Sequence, residues 1–133
     1  MIPRSESTIT TYRQHFKAQQ AKKLEEREAK RLYALETVTA VLPPIISQFP
    51  TIQQLFLFGS IVHPGQFHAK SDIDIGVLGT TAEDYFALWR ELEAKLPEWI
   101  IDLRDISDDS FFANTVQKTG LLIYERANKL AKS

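Results

Sequence analysis

The 133-residue sequence has no cysteine and no marked excess of charge of either sign. Without cysteine the chain forms neither a disulfide nor a thiolate metal site, and a reducing cytoplasm is the expected compartment. The 16 Lys+Arg balance 17 Asp+Glu, for a net charge of −1. General binding to nucleic acid or to a membrane surface depends mainly on a basic excess. We therefore expect no direct nucleic-acid partner and no membrane association.

Long apolar runs are missing too. No segment approaches the roughly 20 apolar residues of a membrane span, and residues 1–10 lack the apolar part of a signal peptide. The length fits one domain. Within it we expect a long N-terminal helical segment over residues 1–50, a candidate partner or dimer surface, and a core over residues 51–133.

Glycine and proline are absent from residues 5–42, where strong helix formers dominate. The spacing of Ile9, Tyr12 and Phe16 by three and four predicts an apolar helix face. Such a helix would be on the order of 50 Å long, longer than the domain is wide, so part of it must project, break or pack on another chain. We favour a partner surface for its first segment. Packing against the sheet, and a solvated charged face for its middle, remain alternatives.

Beyond this helix the pattern alternates between strands and helices. Pro43 and Pro44 are predicted to end or kink the first helix, because proline removes a donor and restricts the preceding residue. Strands are predicted at residues 55–58, 72–78, 99–103 and 121–125, with a loop at 61–70. Helices are predicted from a cap at Thr80 or Thr81 to about 96, and from Ser107 or Asp108 to about 118, with Gly120 as the glycine after the last helical turn. The fold class is α+β with a small mixed sheet.

Two aspartates, Asp72 and Asp74, stand one residue apart in the second predicted strand. Side chains at i and i+2 share one face of a strand, and two close carboxylates are costly unless a cation lies between them. Oxygen-only ligands select a hard ion such as Mg²⁺ or Mn²⁺. With Asp102 from the third strand, three carboxylates could hold two metals for an in-line phosphoryl displacement.

Each of these residues has a simpler interpretation. The aspartate pair could face water at a turn. Asp102 could pair with Arg104 at a strand end, and Asp105 is a rival third ligand on the opposite strand face. The turn Gly59-Ser60 would let a phosphate approach the backbone and the Ser60 hydroxyl, but Ser60 could also be a plain turn residue.

The ordered set LFGS, Gly65, SDIDIGV and the later IDL resembles the signature of the DNA polymerase beta superfamily of nucleotidyltransferases. More closely, it is similar to the minimal nucleotidyltransferases that serve as antitoxins in HEPN/MNT toxin–antitoxin pairs. The similarity extends to VQKTGLLIYER and covers residues 55–126. It implies a nucleotidyltransferase fold in which AMP is transferred from ATP, with two Mg²⁺ ions, to a tyrosine of a cognate HEPN RNase toxin.

The resemblance also implies roles for individual residues. The catalytic carboxylates and metal ligands are Asp72, Asp74 and Asp102. The nucleotide-binding positions are Gly59 and Ser60, with Ser71 supporting the loop.

The sequence departs from the family pattern in the loop. An arginine commonly follows Gly-Ser and a second often precedes the loop glycine, whereas Ile61 and His63-Pro64 stand here, in a loop that is one residue longer. The lost positive contact could be supplied by His63, His68 or Lys70. The short core suggests that the acceptor brings its own binding surface, which favours a folded protein partner. A binding antitoxin with weak or absent activity, and modification of a small molecule across a homodimer, are the rival functions.

Overall fold

The computed structural model describes residues 4–126, with side chains from residue 8 onward. The elements follow one another as α1 (Arg4–Ile46), β1 (Gln54–Phe58), a 3₁₀ turn (Gly59–Val62), β2 (Ile73–Leu78), α2 (Ala82–Lys95), β3 (Ile101–Asp105), α3 (Phe111–Thr119) and β4 (Leu121–Glu125).

The four strands form one sheet in the order β3-β2-β1-β4. β1 lies antiparallel to both β2 and β4, whereas β2 and β3 are parallel. The predicted α+β class with a mixed sheet is confirmed. β3 begins two residues later than the predicted 99–103, and the 3₁₀ turn was not expected. The division at residue 50 stays a prediction.

The sheet is covered on both faces. α1 and α2 pack on one face, where alternate strand residues such as Leu57 and Ile75 meet Val38 and Leu92. α3 packs on the other face through Val116, against a smaller apolar cluster. Each buried aliphatic side chain of this kind contributes about 1.5–3 kcal/mol. Asp74 and Asp102, two of the predicted metal ligands, lie on the α3 face, because even-numbered residues of β2 and β3 point that way.

α1 contains both Pro43 and Pro44 and ends only at Ile46. The first of the two predicted alternatives, that the prolines end the helix, is wrong; a kink at the prolines stays a prediction. The apolar stripe continues past them, since Leu42 and Ile46 are both fully buried, and this packing offsets the two missing donors. The backbone N–H of Ser47 still donates to Pro43 O at 3.0 Å. At about 1.5 Å per residue the 43-residue helix is about 64 Å long, so its first half projects.

The caps of the later helices differ partly from expectation. Thr81 caps α2 as predicted, with its Oγ1 accepting from Asp84 N at 3.1 Å. The cap of α3 is Ser110, not Ser107 or Asp108. Asp108 instead accepts from the Ser110 hydroxyl at 2.8 Å, and Ser107 accepts from the N–H of Gly79.

Gly120 follows α3 as predicted, but its φ of −74° is not the left-handed conformation that is common for a glycine at a helix end. A Cβ at this position would come within 2.6 Å of Val116 O and 3.0 Å of Leu57 O. Glycine is therefore needed for the close approach of α3 to β1, not for an unusual dihedral angle.

Candidate active site

Strand register brings two of the predicted aspartates side by side. Asp74 pairs with Phe58 at the end of β1 and with Asp102 at the start of β3. Asp72 precedes β2 on the same side of the chain as Asp74. All three carboxylates are partly exposed at one edge of the sheet, where they can meet a ligand.

The Gly59 turn lies directly over this edge. Gly59 has φ +75°, a conformation that glycine adopts without the steric penalty of other residues. A Cβ built on Gly59 would overlap Oδ2 of Asp74. The glycine therefore lets the backbone of the turn touch the aspartate, so that a group bound by the turn would lie next to the carboxylates.

Asp74 sits in an environment that disfavours its charged form. Desolvation, the charges of Asp102 and Asp72 and a hydrogen bond with Asp102 together raise the pKa of Asp74 to about 6, while the charge of Arg104 acts in the opposite direction. The Arg104 Nε lies 3.0 Å from Asp102 Oδ1. Asp102 therefore pairs with Arg104, as in the simpler interpretation, and it also neighbours Asp74 in the sheet.

The rival carboxylate, Asp105, lies elsewhere. Its register partner is Val77, so it stands three residues further along β3 than Asp102 and on the opposite face. Its Oδ1 accepts from the N–H of Ser107 at 3.0 Å. Asp105 shapes the turn after β3 and is remote from the aspartate pair.

The loop between β1 and β2 holds the remaining predicted residues. Ser60 is half-buried in the 3₁₀ turn, and its carbonyl accepts from His63 N at 3.1 Å. Ser71 closes the loop, because its Oγ accepts from His68 N at 2.9 Å. His63, His68 and Lys70 are all exposed.

An ion pair from α1, which the sequence analysis missed, contacts the same loop. Arg31 donates twice to Glu28, from Nε at 2.7 Å and from Nη2 at 2.8 Å, and once to Ile61 O at 3.1 Å. Glu28 Oε1 also accepts from Gly65 N at 3.3 Å. The sequence signal for this pair was the spacing of Arg31, Ala34 and Val38 by three and four, which places a charged residue on the apolar face of α1.

An aromatic pair beside the carboxylates was also missed. Phe112, near the start of α3, meets Phe58 edge-on with ring centroids 5.5 Å apart. The Arg104 guanidinium carbon lies 5.9 Å from the centroid of the Phe112 ring, a cation–π geometry. Phe112 therefore helps to hold Arg104 near Asp102.

The donor chemistry of the site fits a divalent cation. Three carboxylates at one edge supply only oxygen ligands, and the raised pKa of Asp74 marks an excess of negative charge that a cation would compensate. Within residues 8–126, however, no three His, Asp or Glu side chains are already arranged around a metal position. The side chains of Asp74 and Asp102 already lie within hydrogen-bonding distance of each other, while Arg104 also contacts Asp102.

We predict that the stability of the metal-free protein falls as the pH rises from about 4 to above 6. The folded pKa of Asp74 is about 6, whereas an unfolded aspartate titrates near 3.9. The folded state thus binds more protons in this interval, and deprotonation costs stability. Urea unfolding of the wild type and of Asp74→Asn, without metal, should differ in this slope by about 1 kcal/mol, allowing for solvent screening at a half-buried group. Parallel pH profiles would contradict the prediction.

A mixed four-stranded sheet with a Gly-Ser turn against a strand-borne aspartate pair defines a nucleotidyltransferase fold. Residues 42–129 match the family described as polymerase beta nucleotidyltransferase. The chain belongs to this family. No curated protein matches the sequence, and in the part of the chain described here no helix is long and apolar enough to cross a membrane.

Several solved structures share the fold. A chain from a toxin–antitoxin complex with AMP-PNP is 26% identical, with a TM-score of 0.55, over 66% of this chain and 73% of that one. A toxin–antitoxin complex of MntA with two aspartates changed to glutamate gives 24% identity and a TM-score of 0.54 over the same shares. The tri-AMPylated HEPN toxin of Shewanella oneidensis with its MNT antitoxin gives 22% and 0.50, over 71% and 73%. The last two likenesses concern the fold alone.

Proposed function

We propose that this protein is the antitoxin of a HEPN toxin pair and transfers AMP from ATP to a tyrosine of that toxin. The observation that carries this proposal is the contact between the Gly59 turn and Asp74, with Asp102 alongside. Membership of the nucleotidyltransferase family supports the reaction class. The 26%-identical relative comes from a toxin–antitoxin complex with AMP-PNP, which supports both ATP as the substrate and a role as an antitoxin.

In this proposal each element has one task. The turn at Gly59 and Ser60 binds the triphosphate and orients its α-phosphorus. Asp72 and Asp74, joined by Asp102, are the ligands for two Mg²⁺ ions, which when bound supply charge stabilisation to the transferring phosphoryl group. The tyrosine oxygen forms a bond to the α-phosphorus as the bond to pyrophosphate breaks, and Asp102 receives the hydroxyl proton.

The proposal is tested by the intact mass of the toxin encoded beside this protein. The toxin is co-purified with this protein and incubated with ATP and Mg²⁺, with an Asp72→Asn/Asp74→Asn protein as the control. We expect mass gains of about 329 Da per AMP only with the unchanged aspartates. No gain with the wild type, in a complex that remains intact, would contradict the transferase.

A second function, neutralisation by binding alone, is favoured by two observations. Arg104 holds Asp102 at 3.0 Å, and Ile61 stands where the family commonly has an arginine. If binding suffices, the Asp72→Asn/Asp74→Asn protein still neutralises the toxin in cells. Loss of neutralisation with the complex still formed excludes this alternative.

We predict that the exposed first half of α1 is a partner contact. Tyr12 and Phe16 are 69% and 59% exposed, and Ile9 lies on the same face. Buried in a complex, each aromatic would contribute on the order of 1–3 kcal/mol, so Tyr12→Asp/Phe16→Asp should weaken binding to the toxin more than 100-fold by titration calorimetry. The control is Gln14→Asp/Lys17→Asp, which adds the same number of carboxylates to this helix without removing an apolar side chain. Equal losses from both variants would point to charge rather than to an apolar contact.

A further inference from the structure

Arg31 is unusual in its burial. It is only 8% exposed and is the one charged residue buried among residues 8–126. A buried cation costs several kcal/mol unless it is paired and hydrogen-bonded. The Glu28 carboxylate supplies the pairing in a two-point contact, a geometry that the planar guanidinium favours.

The remaining contacts of this pair point away from α1 and toward the loop. Arg31 Nη1 donates to Ile61 O at 3.1 Å, and Glu28 Oε1 accepts from Gly65 N at 3.3 Å. Ile61 directly follows Ser60, and Gly65 has φ +82° with no atom within 4 Å of a Cβ built there. The backbone of this open loop is thus held at two points by side chains of α1, which lie 30 or more residues away in sequence.

We propose that Arg31 and Glu28 are positioning residues that fix the nucleotide-binding turn from α1. The inference rests on the proposed function, because it assigns the loop to ATP. By holding Ile61 O and Gly65 N, the pair keeps Gly59 and Ser60 in the arrangement that exposes their donors beside Asp74. A family member commonly has an arginine within the loop itself. Here the arginine is on α1 and acts through the loop backbone rather than on the phosphates.

The location of the pair has a consequence for regulation. Arg31 lies where α1 changes from its exposed first half to its buried second half. A partner bound to the first half would therefore contact the same rigid helix that holds the loop. A rigid helix that contacts both sites is one physical route by which binding at the first half of α1 is coupled to the loop.

The test uses the full-length protein and two measurements. Amide hydrogen exchange over residues 61–70 is followed without nucleotide, and the affinity for AMP-PNP with Mg²⁺ is measured by calorimetry. Glu28→Ala, at a partly exposed helix position, and Arg31→Met are both expected to speed exchange in the loop and to weaken AMP-PNP binding about tenfold. Arg31→Lys should recover part of the affinity, because the ammonium keeps the positive charge and can donate, although it lacks the two-point geometry of the guanidinium. Arg27→Met, at an exposed position one turn earlier, should match the wild type in both measurements.

The two measurements distinguish a failure of this inference from a failure of the proposed function. If the wild type does not bind AMP-PNP, the proposed function fails, and exchange in the nucleotide-free loop still tests the pair. Unchanged loop exchange in Glu28→Ala overturns the inference. Faster exchange with unchanged AMP-PNP affinity also overturns it, because the pair would then stabilise the loop without positioning nucleotide. If Arg31→Met does not fold, Glu28→Ala decides alone.

Discussion

Asp74→Asn is expected to reduce AMP transfer to the toxin by about 10³-fold, while making the metal-free protein more stable near pH 7.5. The loss follows because the amide cannot provide the charge of a metal-ligating carboxylate at the phosphoryl group, an effect of several kcal/mol. The gain follows because the Asp74 carboxylate is partly desolvated and lies beside Asp102 and Asp72, which raise its pKa. The measurements are single-turnover transfer by mass spectrometry and urea unfolding without metal.

Asp105→Asn is the matched control for this prediction. Asp105 lies on the neighbouring strand β3, but on the opposite face of the sheet from Asp74 and Asp102. Its side chain accepts from Ser107 N. An amide oxygen also accepts there, so transfer and stability should both stay close to wild type. Equal losses of AMP transfer in Asp74→Asn and Asp105→Asn would show that the reaction does not depend specifically on the Asp74 carboxylate.

Gly59→Ala is expected to lower the free energy of unfolding by about 3 kcal/mol and to reduce AMP transfer at least 100-fold. A left-handed dihedral angle costs a non-glycine residue about 1–2 kcal/mol, and forcing apart packed groups costs about 1–3 kcal/mol. Here the added methyl would overlap the Asp74 carboxylate. A displacement of about 1 Å in the turn is enough to cost about 10²-fold in rate. Chemical denaturation and the transfer assay measure the two effects.

Gly65→Ala distinguishes the cost of backbone strain from the cost of steric overlap between the added methyl group and a neighbouring side chain. Gly65 has a similar φ of +82°, but a Cβ there meets no atom within 4 Å. Its substitution should therefore cost only about 1–2 kcal/mol of stability and leave most of the transfer activity. If both alanine variants behave alike, the contact of Gly59 with Asp74 has no special role in the site.

Several parts of the fold were predictable because they depend on neighbouring residues. The two-residue period of the extended backbone that leads from Asp72 into β2 places Asp72 and Asp74 on one face, whatever packs around them. Thr81 followed by Glu83 and Asp84 is a local start signal, and the structure has the cap at Thr81. The cap of α3 was misplaced by two or three residues, because Ser107, Asp108 and Ser110 are all good caps and only their tertiary contacts decide among them.

The candidate site was predictable in part for the same reason. The motif around Gly59 and the aspartate pair lies within about twenty residues of sequence. The choice of Asp102 over Asp105, as neighbour of Asp74, depends on the parallel register of β2 and β3. The roles of these residues as ligands stay predictions. The loop contacts of Arg31 and Glu28 were not predictable from the sequence, because they join residues 30 or more positions apart.

The sequence by itself determined the strand and helix order, the shared face of the aspartates and the family signature, since short-range periodicity and composition carry these features. Tertiary structure alone decided that α1 continues through Pro43 and Pro44, that Gly120 serves a close approach, and that Gly59 touches Asp74. It also decided the burial of Arg31. Each of these depends on which distant surfaces meet, and the free energy of packing them outweighs local preference.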